Sequence, residues 1–194
     1  MAYIPHLNRV AQSKIARLNR AAFTWLAAKL TDLLANKTTP DAVLPEAYSD
    51  PQVFGPGDVY MYHYDAKWKN KLPYWDKFPC TIVLEIYNDG FLGLNLHYLP
   101  PNIRFAFMSK LVKRANNPRN PLRRRMNLSY EIVKGAQDLG AYIPCLKRYL
   151  TTHVVSNMFR IPPQDWELVV HMPVAQFTGA SQKHVWADSR KKIK

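Results

Sequence analysis

The stretch Phe78–Pro101, FPCTIVLEIYNDGFLGLNLHYLPP, decides how the rest of the chain is read. Ile82, Leu84 and Ile86 alternate with Val83, Glu85 and Tyr87, a period-two pattern that predicts a strand. Asn88-Asp89-Gly90 follows, and Asp-Gly between two apolar runs signals a tight hairpin, because such turns use positive φ. Phe91, Leu92, Leu94, Leu96 and Tyr98 predict the return strand, which Pro100 and Pro101 stop. Both strands carry apolar groups on both faces, so the hairpin is expected at the centre of a sheet and not at its edge.

Upstream, Gly57-Asp58 opens a further strand over Val59–Tyr64. Val59, Met61 and His63 share one face, and Tyr60, Tyr62 and Tyr64 share the other. The tyrosine face suits either stacking on bases or a wall of the core. Asp65–Lys77, DAKWKNKLPYWDK, then interleaves Lys67, Lys69 and Lys71 with Trp68, Tyr74 and Trp75. Aromatics among cations suit single-strand or backbone contacts with nucleic acid; the alternative is that the tryptophans cap one end of a barrel. Strand, basic loop, strand, tight turn, strand is the succession expected of a small, strongly bent antiparallel sheet of SH3-like type.

Downstream, the spacing of Ile103, Phe107, Met108 and Leu111 predicts a helix over 102–115, with Arg104, Lys110, Lys113 and Arg114 on its other side. Next comes NNPRNPLRRR, residues 116–125, carrying Arg119, Arg123, Arg124 and Arg125. No acid occurs between Gly90 and Tyr130, the sharpest charge asymmetry in the chain. Like charge so concentrated repels itself, which argues for a phosphate or an acidic partner over a plain exposed loop. Short helices are expected over 128–139 and over 142–150, the latter with Lys147 and Arg148 outward. Strands are expected over 152–161 and 167–172. The tail, 181–194, is either a docked basic helix or an arm that orders on a partner.

The longest helical signal precedes all of this, with Ile15, Leu18, Ala22, Trp25, Leu26, Leu30 and Leu33 at three- and four-residue steps and a basic remainder. A linker with Pro40, Pro45, Pro51 and Pro56 joins it to the sheet. The expected organisation is a basic amphipathic helix (1–37), a proline-rich linker (38–56), an α+β domain with an SH3-like β-barrel decorated by helices (57–180) and a basic tail (181–194).

Across 194 residues, 27 Lys and Arg face 14 Asp and Glu, a formal net charge of +13. That balance speaks of partners: nucleic acid, an anionic membrane surface or an acidic protein. No signal-peptide run opens the chain and no stretch reaches the roughly 18 apolar residues of a spanning helix, so no membrane partner is expected. Cys80 and Cys145 fit no metal spacing and are expected as buried, reduced thiols. There is no Gly-rich phosphate loop, nucleophile elbow or Cys/His cluster, and the six histidines are scattered. Glu85 turned into a barrel with Asp89 nearby would begin a nuclease-like carboxylate set, but acids so dispersed favour a non-enzyme without metal or cofactor.

The run PGDVYMYHYDAKWKNKLPYWDKFPCTIVLEIYNDGFLGLNLHYLPPNIR, followed by YEIVKGA, CLKRYL, IPPQDWELVVHMPVAQF and VWADSRK, resembles small virion proteins of T-even-like contractile-tailed phages. Gly93–Pro101 is its most distinctive part. The resemblance implies a structural or assembly role in a phage virion, of the DNA end protector or head-completion type, with assembly in the host cytoplasm. The preferred expectation is contact with packaged DNA through its phosphates and without sequence preference, alongside other phage structural proteins. The expected contacts are Lys67, Lys69, Lys71, Lys110, Lys113, Arg114, Arg119, Arg123, Arg124 and Arg125. The alternative is a tail or baseplate subunit whose basic patch and terminal arms bind other virion proteins.

Overall fold

The computed structural model describes residues 55–101, 103–105, 107–108, 143–156, 158–161, 165–166 and 175–192, together with Thr24. Apart from Thr24, Gly55 and Pro56, the expected N-terminal helix and its linker lie outside the described residues, as do the arginine-rich segment 116–125, the helix over 128–139 and the strand over 167–172.

Seven strands and one long helix are described: β1 (Val59–Met61), β2 (Trp75–Asp76), β3 (Cys80–Tyr87), β4 (Gly90–Asn95), β5 (Leu146–Leu150), β6 (Phe159–Ile161), β7 (Phe177–Thr178) and α1 (Gln182–Lys192). Five strands form an antiparallel sheet in the order β5-β4-β3-β1-β6, and β2 pairs with β7 in a second, two-stranded sheet. The architecture is α+β, and the β3–β4 hairpin sits at the centre as its two-sided apolar pattern predicts.

The hairpin departs from expectation in three details. Tyr87 pairs with Gly90, so Asn88 and Asp89 form the loop, yet positive φ falls on Gly90 (157°) and on neither of them. Glycine is also required there by approach, because a Cβ would collide with the Tyr149 carbonyl oxygen. A register shift between Val83 and Glu85 leaves Leu84 as an extra residue, a bulge that bends the hairpin. The return strand ends at Asn95, because the Asn95 side chain accepts the His97 N–H at 2.9 Å and caps a 3-10 turn over Leu96–Tyr98.

Two further expectations are corrected. The helix expected over 142–150 is not found over its described residues 143–150: a 3-10 turn over Ile143–Cys145 leads into β5, whose Lys147 is only partly exposed. Pairing with β4 overrides local helical spacing here, and Tyr149 stacks on Phe91 with ring centroids 5.3 Å apart. The strand expected over 152–161 is divided into a 3-10 turn at Thr151–His153 and β6. Between them Tyr64 bridges Val154, flanked by Asp65 N–H to His153 O and Val155 N–H to His63 O, each 2.9 Å. The chain beyond β1 is thus tied to the chain beyond β5, but among the described residues the strand order stays open and does not form a closed barrel ladder.

Alternation along β1 and β3 builds a core on each face of the sheet. Val59, Met61, Cys80, Ile82, Leu94, Leu96 and Leu99 pack with Phe107, Met108, Trp166 and Val185. Tyr60, Tyr62, Tyr64, Val83, Phe91, Tyr149 and Val154 form the other, so the tyrosine face is a core wall. Its hydroxyl groups find partners, as buried tyrosines must: Tyr62 lies 3.2 Å from Thr81 Oγ1, and Tyr64 accepts the Leu150 N–H. Both cysteines are buried and free.

Where described, residues 101–108 are helical, with Phe107 and Met108 inward. Arg104, expected on the solvent side, is instead buried and donates from Nη2 to the carbonyls of Leu99 (3.2 Å) and His97 (3.5 Å). The tail takes the docked form: Val185 of α1 is fully buried and Trp186 Nε1 donates to the His97 carbonyl at 2.9 Å.

Candidate nucleic-acid interface

The loop between β1 and β2 and the edge strand β5 enclose a cavity of about 490 Å³. Its wall includes Lys67, Trp68, Tyr74, Tyr98, Lys147 and Arg148. Each enters from a different local cause. Residues 66–72 wind into successive turns held by Lys69 N–H to Ala66 O (3.1 Å) and Leu72 N–H to Trp68 O (2.9 Å), which push Trp68 outward until it is 55% exposed. Tyr98 closes the 3-10 turn that Asn95 caps, and its ring packs on Tyr74 at 6.1 Å and on Phe177 at 5.1 Å. Lys147 comes from β5, where a helix was expected.

The cations of this region are divided by what neutralises them. Lys69 is held by Asp65 at 2.9 Å, Arg160 by Asp58 at 2.8 Å, and Arg148 by Asp89. Lys67 and Lys71 instead lie over the Trp68 ring at 5.4 and 5.0 Å, Lys77 over Trp75 at 6.0 Å and Lys147 over Tyr98 at 4.3 Å. No carboxylate pairs with these four among the described residues. A cation on a ring face keeps its full charge for a partner, since the ring quadrupole attracts it without neutralising it. Burial pulls the Lys147 ammonium below its ordinary value, so an anion placed beside it would be welcomed.

The cavity wall contains an acid, Asp76, and it is already satisfied. Asp76 accepts from His97 Nδ1 (2.7 Å), Asn95 Nδ2 (3.1 Å), Phe78 N–H (3.0 Å) and Gln176 N–H (3.3 Å). Burial alone would raise its pKa; the adjacent His97 ring, with the Asn95 and Phe78 donors, outweighs that and holds the carboxyl below its ordinary value. The Asp76 and His97 side chains are almost wholly buried, and the contacts Asp76 makes are to groups of the protein itself.

Of the contacts expected from sequence, Lys67 and Lys71 stand together on Trp68, and Lys69 is diverted to Asp65. Lys110, Lys113, Arg114, Arg119, Arg123, Arg124 and Arg125 lie outside the described residues. Sequence reading missed Lys147 and Tyr98 as neighbours of the lysine loop. The alternation of Lys147 and Tyr149 against Leu146, Arg148 and Leu150 was the available signal. Glu85 does not turn inward: it is exposed and accepts the Tyr87 hydroxyl at 2.7 Å, which removes the start of a nuclease-like carboxylate set. Among the described residues no three His, Cys, Asp or Glu side chains gather as metal ligands, and no helix is long and apolar enough to cross a membrane.

A family model for the phage T4 terminal DNA protecting protein matches residues 11–192. The chain belongs to that family. Membership makes it a phage virion protein of the DNA end-protecting kind. No curated protein and no solved structure matches the chain. The match spans both the described sheet and the basic segments outside it, so the terminal DNA protecting family is assigned to nearly the whole chain and not to a fragment of it.

Proposed function

We propose that this protein shields the end of packaged virion DNA by a non-catalytic, sequence-independent grip on the phosphate backbone. The observation that carries the reading is the set of lysines seated on aromatic rings around one cavity without carboxylate partners among the described residues. In this reading Lys67 and Lys71 from the aromatic loop act with Lys110, Lys113, Arg114, Arg119, Arg123, Arg124 and Arg125, while Lys69 contributes less because Asp65 competes for it. Arginines suit forked phosphate contacts, and together these residues would release condensed counterions on binding.

The supporting scaffold is read as SH3-like: the loop 62–74 follows the first strand, a bent hairpin follows the loop, and a 3-10 turn precedes the segment that returns to bridge Tyr64. Assembly would take place in the host cytoplasm, with other phage structural proteins as neighbours.

The experiment is protection of linear duplex DNA from an exonuclease, with binding measured across a salt series. Replacing Arg123, Arg124 and Arg125 together by alanine is expected to weaken binding at low salt and to flatten the dependence of log K on log salt by about 0.9 for each phosphate no longer neutralised. An unchanged slope in that variant removes the arginine cluster from the interface. Failure of the wild-type protein to bind or protect DNA ends removes the reading altogether.

A further inference from the structure

We propose that the cavity between the Trp68 loop and β5 receives a single unpaired nucleotide at the DNA terminus, its base against Trp68 and Tyr74 and its phosphate toward Lys67 and Lys147. This rests on the end-protecting function above and adds to it a chemical subsite that distinguishes an end from the interior of a duplex.

Size, charge and surface chemistry agree. A cavity of about 490 Å³ falls within the range of roughly 300–1,000 Å³ typical of small-molecule sites. Its cations Lys67 and Lys147 rest on rings, whereas the Asp76 carboxylate is consumed by four donors of the protein itself. The pocket therefore presents positive charge to a ligand and calls for an anion. Trp68 is more than half exposed and lines the cavity, and the ammonium groups of Lys67 and Lys71 lie over its ring, where an incoming base would displace them toward its phosphate. An aromatic face flanked by ammonium groups matches a base attached to a phosphate better than it matches inorganic phosphate or an apolar group. Bases inside a duplex are already stacked and paired. Only a terminus offers one cheaply, because a base that is unpaired or at the end has least to lose on leaving the stack.

The test compares the full chain on three probes at low salt: a duplex with one unpaired 5′-phosphorylated nucleotide at each end, a blunt duplex, and a relaxed closed-circular duplex. The overhang is expected to bind on the order of tenfold more tightly than the circle, the worth of one stacked base. Trp68→Ala should bring the ratio of overhang to circle affinity close to one; that ratio is the readout, because the ring also seats Lys67 and Lys71 and its loss weakens binding to every probe. With 5-iodouracil as the unpaired base, photocrosslinks are expected at Trp68 or Tyr74. Equal wild-type affinity for the overhang and the circle overturns the subsite and leaves the backbone grip standing, as do crosslinks confined to residues outside the cavity. Absence of binding to all three probes overturns both.

Discussion

The imidazole of His97 lies 2.7 Å from the carboxylate of Asp76, Nδ1 to Oδ2, with both side chains buried. This contact joins the end of the central hairpin to the strand that closes the aromatic loop. Asn95 extends it, donating from Nδ2 both to Asp76 Oδ2 and to the Tyr149 hydroxyl (3.0 Å). The His97 carbonyl extends it the other way, to Trp186 of α1 and to Arg104. The distinctive segment Gly93–Pro101 is therefore the polar hub that locks the hairpin, the loop, the edge strand and the tail helix together.

Asp76→Asn should destabilise the protein at neutral pH by about 3–5 kcal/mol, the typical cost of breaking a buried pair from one side. The pH dependence has a fixed sign. Asp76 titrates below its ordinary value in the folded protein, so its stabilisation is complete above the unfolded carboxyl pKa of about 4 and is lost as pH falls through the lower folded value. Denaturant midpoints measured from neutral pH into that acid range should fall for the wild type and fall less for the variant. Equal slopes would show that other carboxylates govern acid unfolding.

Gly93→Ala is expected to cost about 1–3 kcal/mol through overpacking. A Cβ there would collide with Thr81 Cγ2 and stand 3.3 Å from the Ile82 carbonyl oxygen. Thr81 is fully buried and its hydroxyl is engaged with Tyr62, so it has little room to turn away. Thermal or denaturant unfolding reads the difference, and the companion substitution Thr81→Ser, which removes the methyl, should relieve much of it.

Lys67→Ala with Lys71→Ala should reduce the salt slope of DNA binding by about 0.9 for each phosphate left without its lysine, close to two for the pair. Lys69→Ala should change it less, because the Lys69 ammonium is already held by Asp65. Binding isotherms at several salt concentrations separate the two. An equal effect of all three lysines would mean that the Asp65 pair opens on meeting DNA.

Cys80 and Cys145 should react with a thiol reagent only as fast as the protein opens. Burial pushes both thiols up, Cys145 to about 12, which leaves almost no thiolate near neutral pH. Labelling rates followed with and without denaturant test this. Prompt labelling of the native protein at either position would show local opening of the core that the two cysteines share with Ile82 and Leu96.

Features that depend on neighbours along the chain were legible from the residues. Alternation in 59–64 and 82–84 marked the two faces of the sheet, but the bulge at Leu84 carries Ile86 to the Val83 side, against the period-two pattern; Asp89-Gly90 marked the turn, and the cation-and-ring pattern of 65–77 marked the loop that lines the cavity. Family motifs and net charge pointed to DNA. The remainder emerged only on folding, because it concerned which distant groups meet. Residues 146–150 have helical spacing but lie along the free edge of β4, where ladder bonds and the Phe91–Tyr149 stack outweigh propensity. Arg104 has the charge of a surface residue but finds the Leu99 and His97 carbonyls inside. Asp76 and His97 are 21 residues apart, and only the folded chain sets them together and leaves the lysines on Trp68 and Tyr98 without a competing carboxylate among the described residues. Local pattern sets the faces of an element, but partners for buried polar groups are chosen by three-dimensional proximity.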